Sequence, residues 1–455
     1  MSGLGGMSFM SPRGYQRNGC GYCKRDDGSI SYYAHSESCR AEEYEVLMNH
    51  GWRRSGKLFY RQNPKHSCCP YYTIRLDPKE YVPRKDQKKA LNKWNNFVLG
   101  PEYKRKAARL APKTKEQKRQ RRSKFNVFDR IHDAEYSNIP RPIDPSTSPK
   151  RPIEPAHKFE VNLESDSFSL NKYNLFLRYQ KAVHHEDESQ WPQSSFKRFL
   201  CSGLRPFPMH NPFKQKTKQE LEEEQKLKKL GSYHQCYRLD GKLIAVAVLD
   251  LLPSGLSSVY LYYDPDYEAY EFGKISAMRE IALTQEAGYG HYYMGYYIHN
   301  CVKMRYKANF RPQQVLDPED FTWHYLDTQL LAKLDKKRYV SLSREKKIET
   351  GEIELEECDK PDSERDFKQL GVEREEERSL FEIGFPGILT KRQVQKEVDL
   401  DHWQLAAESV LVDMCDLRPW DTSDLGNPQS IKGIVGEMAA MLGKEVVKKT
   451  VVILF

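Results

Sequence analysis

The strongest constraint on the fold is a hairpin signal in the middle of the chain. Two apolar runs, Tyr233–Leu239 and Lys242–Leu251, are separated only by Asp240 and Gly241. An Asp-Gly pair favours the two-residue turn that joins antiparallel strands, because both residues tolerate a positive φ. A third run of β-branched and aromatic residues, Ser257–Tyr263, follows closely. The pattern predicts a β-hairpin that continues into a third strand.

Patterns on both sides of the hairpin extend this order. Before it, Leu170–Val183 and Ser195–Leu200 have apolar residues at helical spacing. After it, Ile275–Glu286 is amphipathic and His291–Tyr297 is an aromatic, strand-like run. A hairpin and strand that lead into a helix and a further strand are typical of N-acetyltransferase-like (GNAT) acyltransferases. We therefore predict an α/β (α+β) protein with a GNAT-like core.

The segment that would bind a pyrophosphate cofactor in such a core is poorly suited to that task. Tyr267–Ile275 contains a single glycine, Gly273. Glycine-rich loops are what allow several backbone N–H groups to surround a pyrophosphate at a helix N-terminus. The sequence therefore predicts that acetyl-CoA is not the acyl donor.

Cysteines are concentrated near the beginning of the chain, where five of the ten precede residue 70. Four thiolates satisfy a tetrahedral zinc site or an iron–sulfur cluster. The four that we assign as metal ligands are Cys20, Cys23, Cys68 and Cys69. Adjacent side chains tend to diverge, so Cys39 or His66 is an alternative ligand to one of the last pair. A redox disulfide between Cys20 and Cys23, or a set of unrelated thiols, are the other interpretations.

Positive charge is concentrated as well. The chain has 73 Lys and Arg against 64 Asp and Glu, a net charge of +9, and the stretch from Pro101 to Lys124 alone has eleven basic and two acidic residues. Clustered basic residues bind nucleic-acid phosphates by releasing counterions, although a solvated helix or linker has the same composition. A nuclear import signal is compatible with both interpretations. The predicted tRNA-binding residues are Lys104, Arg105, Lys106, Arg119, Arg121 and Arg122.

Composition also suggests where the domains begin and end. No run approaches the roughly 18 apolar residues of a membrane helix, and the first 18 residues have no apolar core of the kind found in a secretory signal. We expect a soluble protein of the cytoplasm, and also of the nucleus, with no membrane partner. The predicted divisions are a disordered N-terminus at 1–18, a cysteine-rich module at 19–98, a basic segment and proline-rich linker at 99–155, a core at 156–330 and an extension at 331–455 with an acidic insert at 349–377.

Several blocks of the sequence resemble the eukaryotic arginyl-tRNA–protein transferase (arginyltransferase) family. The N-terminal blocks are Cys20–Cys23, Tyr44, Gly51–Gly56, Tyr60 and Cys68–Arg75. The central blocks are Arg178–Gln180, Val183–His184, Phe199–Cys201, Asp250–Tyr260, Tyr262–Pro265, Tyr293–Cys301 and Lys303–Lys307. The resemblance implies transfer of arginine from arginyl-tRNA to the α-amine of proteins that begin with Asp, Glu or oxidised Cys. Such proteins are thereby marked for ubiquitin-dependent degradation.

This chemistry assigns tasks to particular residue types. The arginyl ester is already activated, so no nucleophilic Ser or Cys is required, and the acceptor amine has an ordinary pKa near 7.7–8.0. Carboxylates would bind the guanidinium, and cations would bind the acidic first residue of the acceptor. We predict three catalytic residues, which are Asp250, Tyr296 and His299. The predicted substrate-binding residues are Arg178, His184, Asp264, Glu280, Lys303, Arg305 and Lys307.

Two other functions are consistent with parts of the sequence. One is a non-catalytic RNA-binding protein with a metal knuckle, and the other is an acetyl-CoA-dependent acyltransferase. Transferase activity predicts arginyl-tRNA and proteins with acidic N-terminal residues as partners, and we expect a monomer. Zinc and an iron–sulfur cluster are both compatible with the four cysteines.

Overall fold

Two large β-sheets organise the chain in a computed structural model that describes residues 6–123, 125–146, 148–204, 229–364, 378–407 and 410–454. Within these ranges the strands are β1 Ser8–Asn18, β2 Ser29–Ser38, β3 Arg53–Ser55, β4 Leu58–Gln62, β5 Tyr72–Leu76, β6 Ile143–Asp144, β7 Arg151–Pro152, β8 Phe159–Ser165, β9 Gly231–Leu239, β10 Lys242–Leu251, β11 Gly255–Tyr263, β12 His291–Tyr297, β13 Gln314–Leu316, β14 Trp323–Tyr325, β15 Gln404–Ala407, β16 Val410–Asp413 and β17 Thr450–Val452. The mixed α/β class predicted from the sequence is confirmed.

The helices in the same ranges are mostly short and lie between the strands. They are α1 Ala41–Met48, α2 Lys85–Leu99, α3 Pro101–Leu110, α4 Lys115–Ser123, α5 Val127–Arg130, α6 Leu170–Tyr179, α7 Gln193–Leu200, α8 Phe272–Glu286, α9 Val302–Arg305, α10 Thr328–Lys336, α11 Leu342–Glu349, α12 Lys391–Glu397, α13 Ile431–Leu442 and α14 Lys444–Val447. None of the helices described has the length and apolar character needed to cross a membrane.

The eight-stranded sheet has the order β14-β13-β5-β12-β11-β10-β9-β8. Its centre is the predicted hairpin of β9 and β10, whose turn residues Asp240 and Gly241 both have positive φ, 52° and 82°. Helices α2 and α8 cover one face, where Trp94 packs edge-on against Phe159 and Phe272. Helices α6 and α7 cover the other face. The strand–helix–strand order around the hairpin is therefore as the sequence predicted.

The parallel strands β11 and β12 separate along their length. They pair only at Gly255–Ser257 with His291–Tyr293. Beyond this point, pairing of β12 with β5 is irregular between Tyr293 and Tyr296, and Gly295 has a φ of +75°. A left-handed residue inside a strand bends it away from its neighbour, and glycine adopts this conformation without steric cost. The separation opens the sheet and creates the space described below.

The seven-stranded sheet joins both ends of the chain, in the order β16-β15-β17-β1-β2-β4-β3. Strand β1 pairs antiparallel with β2 and parallel with β17. The prediction of disorder up to residue 18 is therefore wrong for Ser8–Asn18, because strands distant in sequence provide the hydrogen-bond partners. At the C-terminal end, α14 occupies Lys444–Val447, and β17 is confined to Thr450–Val452.

The sheets also connect segments that the sequence assigned to different domains. Strand β5, from the cysteine-rich segment, lies between β12 and β13 in the eight-stranded sheet. Ile139 and Ile153, at the two ends of the proline-rich segment, are buried against Tyr103 of the basic segment. The domain boundaries stay a prediction, but these segments pack on one another.

Part of the predicted acidic insert is bound to the body of the protein. Arg344 forms ion pairs with Asp359 and Glu356, and Lys65 also pairs with Glu356. The expectation of a solvated insert is wrong for this portion, since its carboxylates neutralise buried cations. Residues 365–377 lie outside the described residues.

Candidate functional site

A cavity of about 670 Å³ lies where β11 and β12 separate. Strands β3, β4, β11 and β12, helices α6, α8 and α9, and the loop between Cys20 and Cys23 all contribute to its walls. Its lining residues are Tyr22, Tyr44, Arg53, Arg54, Tyr60, Tyr179, Val183, His184, Ser257, Ser258, Val259, Tyr260, Leu261, Tyr263, Gly273, Ser276, Ala277, Glu280, Tyr292, Met294, Gly295, Tyr296, Lys303, Met304, Tyr306 and Lys307. The volume is within the range of small-molecule sites.

Tyrosine side chains form much of this wall. Tyr296 lies at 5.0 Å from Tyr71 and 6.2 Å from Tyr60 between ring centroids, and its hydroxyl donates to the Gly51 carbonyl at 3.0 Å. On the opposite side Tyr179 packs against Tyr263 at 5.0 Å. Such rings offer flat apolar faces that can stack on a base or a guanidinium. The cavity is therefore suited to a planar or cationic ligand group.

Glu280 supplies a carboxylate to this wall. The side chain is buried and accepts hydrogen bonds from the Ser276 hydroxyl at 2.5 Å and from the Tyr292 hydroxyl at 2.6 Å. Burial raises the pKa of Glu280 above its ordinary value, since desolvation disfavours the anion. A cationic ligand would restore the charged form.

Lys307 stabilises the bend in β12. Its ammonium donates to the carbonyls of Met294 and Tyr296, at 2.8 and 2.9 Å, on either side of Gly295. Desolvation lowers the pKa of Lys307 to about 7, and the nearby charge of Arg53 acts in the same direction. Lys307 can therefore gain or lose a proton near neutral pH.

Arg53 and Arg54, which are consecutive in β3, both line the cavity but differ in their hydrogen-bond and ion-pair partners. Arg54 makes a buried ion pair with Asp250, with Nε to Oδ2 at 2.8 Å, and Ser232 donates to the same carboxylate. Arg53 is 6% exposed, and only its Nη1 has a partner, the Trp52 carbonyl at 3.0 Å. Its Nε and Nη2 have no hydrogen-bond acceptor among the described residues. The guanidinium lies 5.2 Å from the centre of the Tyr296 ring.

Five predicted site residues line the cavity: His184, Glu280, Tyr296, Lys303 and Lys307. Partial desolvation lowers the pKa of His184, whose ring lies 3.4 Å from the Tyr260 hydroxyl. Lys303 is exposed at the edge. The structure thus brings together side chains that are up to 123 residues apart in the sequence.

The other five have no place in the cavity wall. The carboxylate of Asp250 is occupied by Arg54 and Ser232, and buried Asp264 pairs with Arg178 at 2.9 Å and Lys242 at 2.8 Å. His299 is held between the Tyr297 hydroxyl and Asp335, both at 2.7 Å. Arg305 donates to the His299 carbonyl. We therefore assign these side chains to structural contacts rather than to direct contact with a substrate in this cavity.

Sequence reasoning did not select Arg53 or Tyr22 as site residues, although both lie in the blocks that carry the resemblance. Arg53 and Arg54 are consecutive residues of the short strand β3. Neighbouring side chains of a strand normally point to opposite faces, so the sequence does not predict that both lie in one site. Only the position of β3 beside β12 shows that both guanidinium groups reach the same cavity.

The four predicted cysteine ligands form one group. The Sγ atoms of Cys20, Cys23, Cys68 and Cys69 all lie within 4.8 Å of one another, and the Cys23 and Cys68 sulfurs are 3.2 Å apart. Sharing of protons within the group lowers the pKa of Cys69 and raises that of Cys68. A close set of four sulfur donors fits zinc or an iron–sulfur cluster.

The surroundings of this group are also suited to a compact centre. A Cβ atom at Gly28 would lie 2.6 Å from the Cys68 sulfur, so only glycine allows the backbone to approach this closely. Cys39 is not part of this group. It is buried in a separate cluster of apolar residues, and this burial raises the pKa of its thiol to about 12. His66 is not a member of the group. The expectation that adjacent Cys68 and Cys69 diverge is therefore wrong.

The cysteine group is in contact with the cavity wall. Cys20, Cys68 and Cys69 pack with Ile298, and Met304 packs against the same cluster. Tyr22, between two of the cysteines, lines the cavity and meets the Tyr71 ring at 5.5 Å.

The predicted tRNA-binding residues lie on α3 and α4, away from the cavity lining. Lys104, Arg105 and Arg119 are exposed, whereas Lys106 is half-buried and pairs with Glu102 at 2.8 Å. Arg121 and Arg122 belong to α4, but their side chains lie outside the described residues.

Comparison with known proteins finds similarity to one family in two parts of the chain. The model "Arginine-tRNA-protein transferase, N terminus" matches residues 18–89, and "Arginine-tRNA-protein transferase, C terminus" matches residues 171–317. Arginyl-tRNA–protein transferase 1 of Saccharomyces cerevisiae is 35% identical over 60% of this chain and 48% of its own length. Arginyl-tRNA–protein transferase 2 of Arabidopsis thaliana is 27% identical over 76% of this chain and 79% of its own length.

More distant proteins match as well. Aspartate/glutamate leucyltransferase of Pseudomonas fluorescens is 35% identical over 38% of this chain and 63% of its own length. Among solved structures, L-PGS from Bacillus licheniformis is 8% identical over 50% of this chain and 48% of its own, with a TM-score of 0.22, which is too low to support a conclusion about fold. The two family models cover the cysteine group and both separated strands, and they confirm the resemblance found in the sequence: this chain is similar to the arginine-tRNA-protein transferase family over both matched regions.

Proposed function

We propose that this protein transfers arginine from arginyl-tRNA to the α-amino group of proteins that begin with Asp, Glu or oxidised Cys. The observation that carries the proposal is a single cavity with a buried carboxylate, Glu280, and a buried cation without a carboxylate partner, Arg53. Such a cavity complements one cationic and one anionic side chain. Those are the side chains of the arginyl donor and of an acidic acceptor.

The names of the relatives support the same reaction. The yeast and plant relatives are named for arginyl-tRNA, and the bacterial relatives are named for aspartate and glutamate together with a leucyl group. An acidic acceptor is consistent with both groups of names, whereas the donor amino acid differs. We propose that Glu280 binds the arginine guanidinium, with the tyrosine faces stacked against it.

The reaction needs little beyond binding and proton transfer. The acceptor amine attacks the ester carbonyl, a C–N bond forms, the C–O bond to the ribose breaks, and the ribose hydroxyl receives a proton. Holding both reactants in one cavity accounts for much of the rate enhancement. Lys307, with a pKa of about 7, is the residue that we propose accepts the amine proton, because a pKa near the working pH favours such exchange.

The separation of β11 and β12 supports a GNAT-like acyl-transfer core, in which the acyl carbonyl enters between two diverging parallel strands. We propose that zinc or an iron–sulfur cluster bound by Cys20, Cys23, Cys68 and Cys69 fixes the loop that carries Tyr22. The bound group would order this loop and supply no atom to the transferred arginine. Helices α3 and α4 are our proposed contact for tRNA phosphates.

Transfer of label tests the function directly. The full chain, purified under reducing and metal-replete conditions, is mixed with tRNA charged with labelled arginine and with two peptides that differ only in beginning with Asp or Gly. We expect label on the Asp peptide alone. Binding of tRNA that ignores its charging state, with no label on either peptide, would favour the non-catalytic RNA-binding alternative.

A further inference from the structure

Arg53 differs from the other buried arginines of the described residues because two of its buried N–H groups have no hydrogen-bond acceptor. Arg61 also has no carboxylate partner among these residues, but it donates to the Pro386 carbonyl and has no such unpaired N–H group. Arg54 pairs with Asp250, Arg279 with Glu135 and Arg344 with Asp359. Arg53 has the Trp52 carbonyl and the face of Tyr296, but no carboxylate. A buried cation of this kind is unfavourable until an anion reaches it.

The surroundings of Arg53 increase this need. Lys307 lines the same cavity, and the two positive charges repel each other. Glu280, the carboxylate among the lining residues, forms hydrogen bonds with Ser276 and Tyr292 and forms no ion pair with Arg53. This side of the cavity therefore has an excess of positive charge.

The free N–H groups of Arg53 define the shape of the missing anion. Nε and Nη2 point from the same edge of the planar guanidinium, and both lack acceptors. This edge can form two parallel hydrogen bonds with the two oxygens of one carboxylate, which is the strongest geometry for such a pair. A planar two-oxygen anion fits better than a single-atom acceptor.

Two components of the reaction could supply an anion, and the chemistry favours the acceptor. In an acceptor that begins with Asp or Glu, the carboxylate is only a few bonds from the reacting amine. The nearest tRNA phosphate is separated from the ester by the terminal nucleoside. A deeply buried guanidinium in the cavity where the amine reacts therefore matches the acceptor side chain.

We propose that Arg53, through Nε and Nη2, binds the side-chain carboxylate of the acceptor's first residue and so determines the preference for acidic N-termini. The proposal rests on the proposed function and names its specificity residue. Holding the carboxylate also orients the adjacent α-amine. An acceptor with Asn or Gln in first position would leave the buried cation unpaired.

The test compares acceptors on the same enzyme. Values of kcat/KM are measured for peptides that differ only in beginning with Asp or Asn, with wild type, Arg53→Gln and Arg53→Lys. We expect Arg53→Gln to lower the Asp/Asn ratio by about 30-fold or more, mainly through the Asp peptide. Arg53→Lys keeps the positive charge but loses the two parallel N–H donors of the guanidinium, so its Asp/Asn ratio should be intermediate. A partly misfolded variant lowers both rates and leaves the ratio unchanged, so melting temperature and active fraction are measured alongside.

Arg141→Gln is the matched control, because Arg141 also lies over a tyrosine ring, Tyr136 at 4.4 Å, but outside the cavity. Its ratio should equal that of wild type. An unchanged ratio in folded Arg53→Gln would overturn the proposal, and so would an equal loss for both peptides together with weaker binding of arginyl-tRNA, which would assign Arg53 to a phosphate. Failure of wild type to label either peptide would instead refute the proposed function.

Discussion

At the scale of single residues, the partners of a charged side chain decide whether it is available to a substrate. Asp250 is fully buried, and Arg54 and Ser232 occupy its oxygens. Glu280 is also buried, but it faces the cavity and has only neutral hydroxyl partners. The two carboxylates therefore respond differently to the same chemical change.

Asp250→Asn should destabilise the fold without a selective effect on the reaction. The change leaves Arg54 as a buried cation without a carboxylate, which costs about 3–5 kcal/mol of the free energy of unfolding. Urea denaturation measures this loss. Asp266→Asn is the control: Asp266 pairs with Arg178 on the surface, so the loss should be below about 1 kcal/mol. Unchanged stability with a large loss of kcat would restore a catalytic role for Asp250.

Glu280→Gln should weaken use of the donor. Loss of the carboxylate removes the charged partner of the arginine guanidinium, and kcat/KM for arginyl-tRNA should fall roughly 30-fold or more. The rate is measured with varied arginyl-tRNA and a saturating Asp peptide. Glu37→Gln, on an exposed ion pair with Lys57, should leave the rate unchanged. An equal rate in Glu280→Gln would assign the guanidinium to another group.

Lys307 should give the reaction a characteristic pH dependence. Below pH 7 the amine of Lys307 is protonated and cannot accept a proton, so kcat should rise as the pH passes through about 7. Lys307→Arg keeps a cation beside the β12 carbonyls but stays protonated, and kcat should fall about 100-fold with loss of this inflection. The remaining rise, near pH 8, belongs to the acceptor amine. An inflection near 7 that persists in Lys307→Arg would assign it to a different group.

At the scale of structural elements, the cysteine loop and the basic helices differ in their position relative to the cavity. The loop between Cys20 and Cys23 places Tyr22 in the cavity wall, whereas α3 presents Lys104 and Arg105 to solvent.

Replacing Cys20 and Cys23 together by Ser should remove the bound metal or cluster and lower transfer at least about tenfold. Two of four ligands are lost, and the loop that carries Tyr22 is released. Elemental analysis and the transfer assay check this outcome. The double Ser variant of Cys358 and Cys415, which lie outside the group, is the control. Full activity without bound metal would show that the centre has no part in the reaction.

Neutralising Lys104, Arg105 and Arg119 by Gln should weaken tRNA binding at all charging states. The logarithmic dependence of affinity on salt should become shallower by about 1 for each lost phosphate contact. The same change at Arg392, Lys396 and Lys448, exposed near the C-terminus, is the charge-matched control. An unchanged slope would mean that α3 and α4 are only a solvated surface.

Elements could be predicted from the sequence where the signal is local. The Asp240-Gly241 turn, the strands beside it and α8 depend on residues close in sequence, and the four cysteines stand out by type and spacing. The position of Arg53 in the cavity wall could not be predicted, because it depends on β3 lying near β12, about 240 residues away in the sequence. The ion pairs of Asp250 and Asp264 could not be predicted for the same reason, since their partners are distant in the sequence or on other strands.

At the scale of the whole molecule, the cavity lies between the two large sheets, and the N-terminal part of the chain contributes strands to both of them. Strand β5, from the N-terminal part of the chain, belongs to the eight-stranded sheet, and the edge strand β3 of the other sheet and its neighbour β4 contribute to the cavity wall. The cavity therefore belongs to neither sheet alone, and both matched family regions contribute to its lining.

The parallel pairing of β1 with β17 has a consequence for how the protein is made. Residues 8–10 bond to residues 450–452, so the ribosome must synthesise almost the whole chain before this part of the sheet can close. Until then one edge of β1 is unpaired, and exposed strand edges promote aggregation. During translation this edge of the N-terminal strand thus stays unpaired for longer than the strands of the central hairpin, which emerge together.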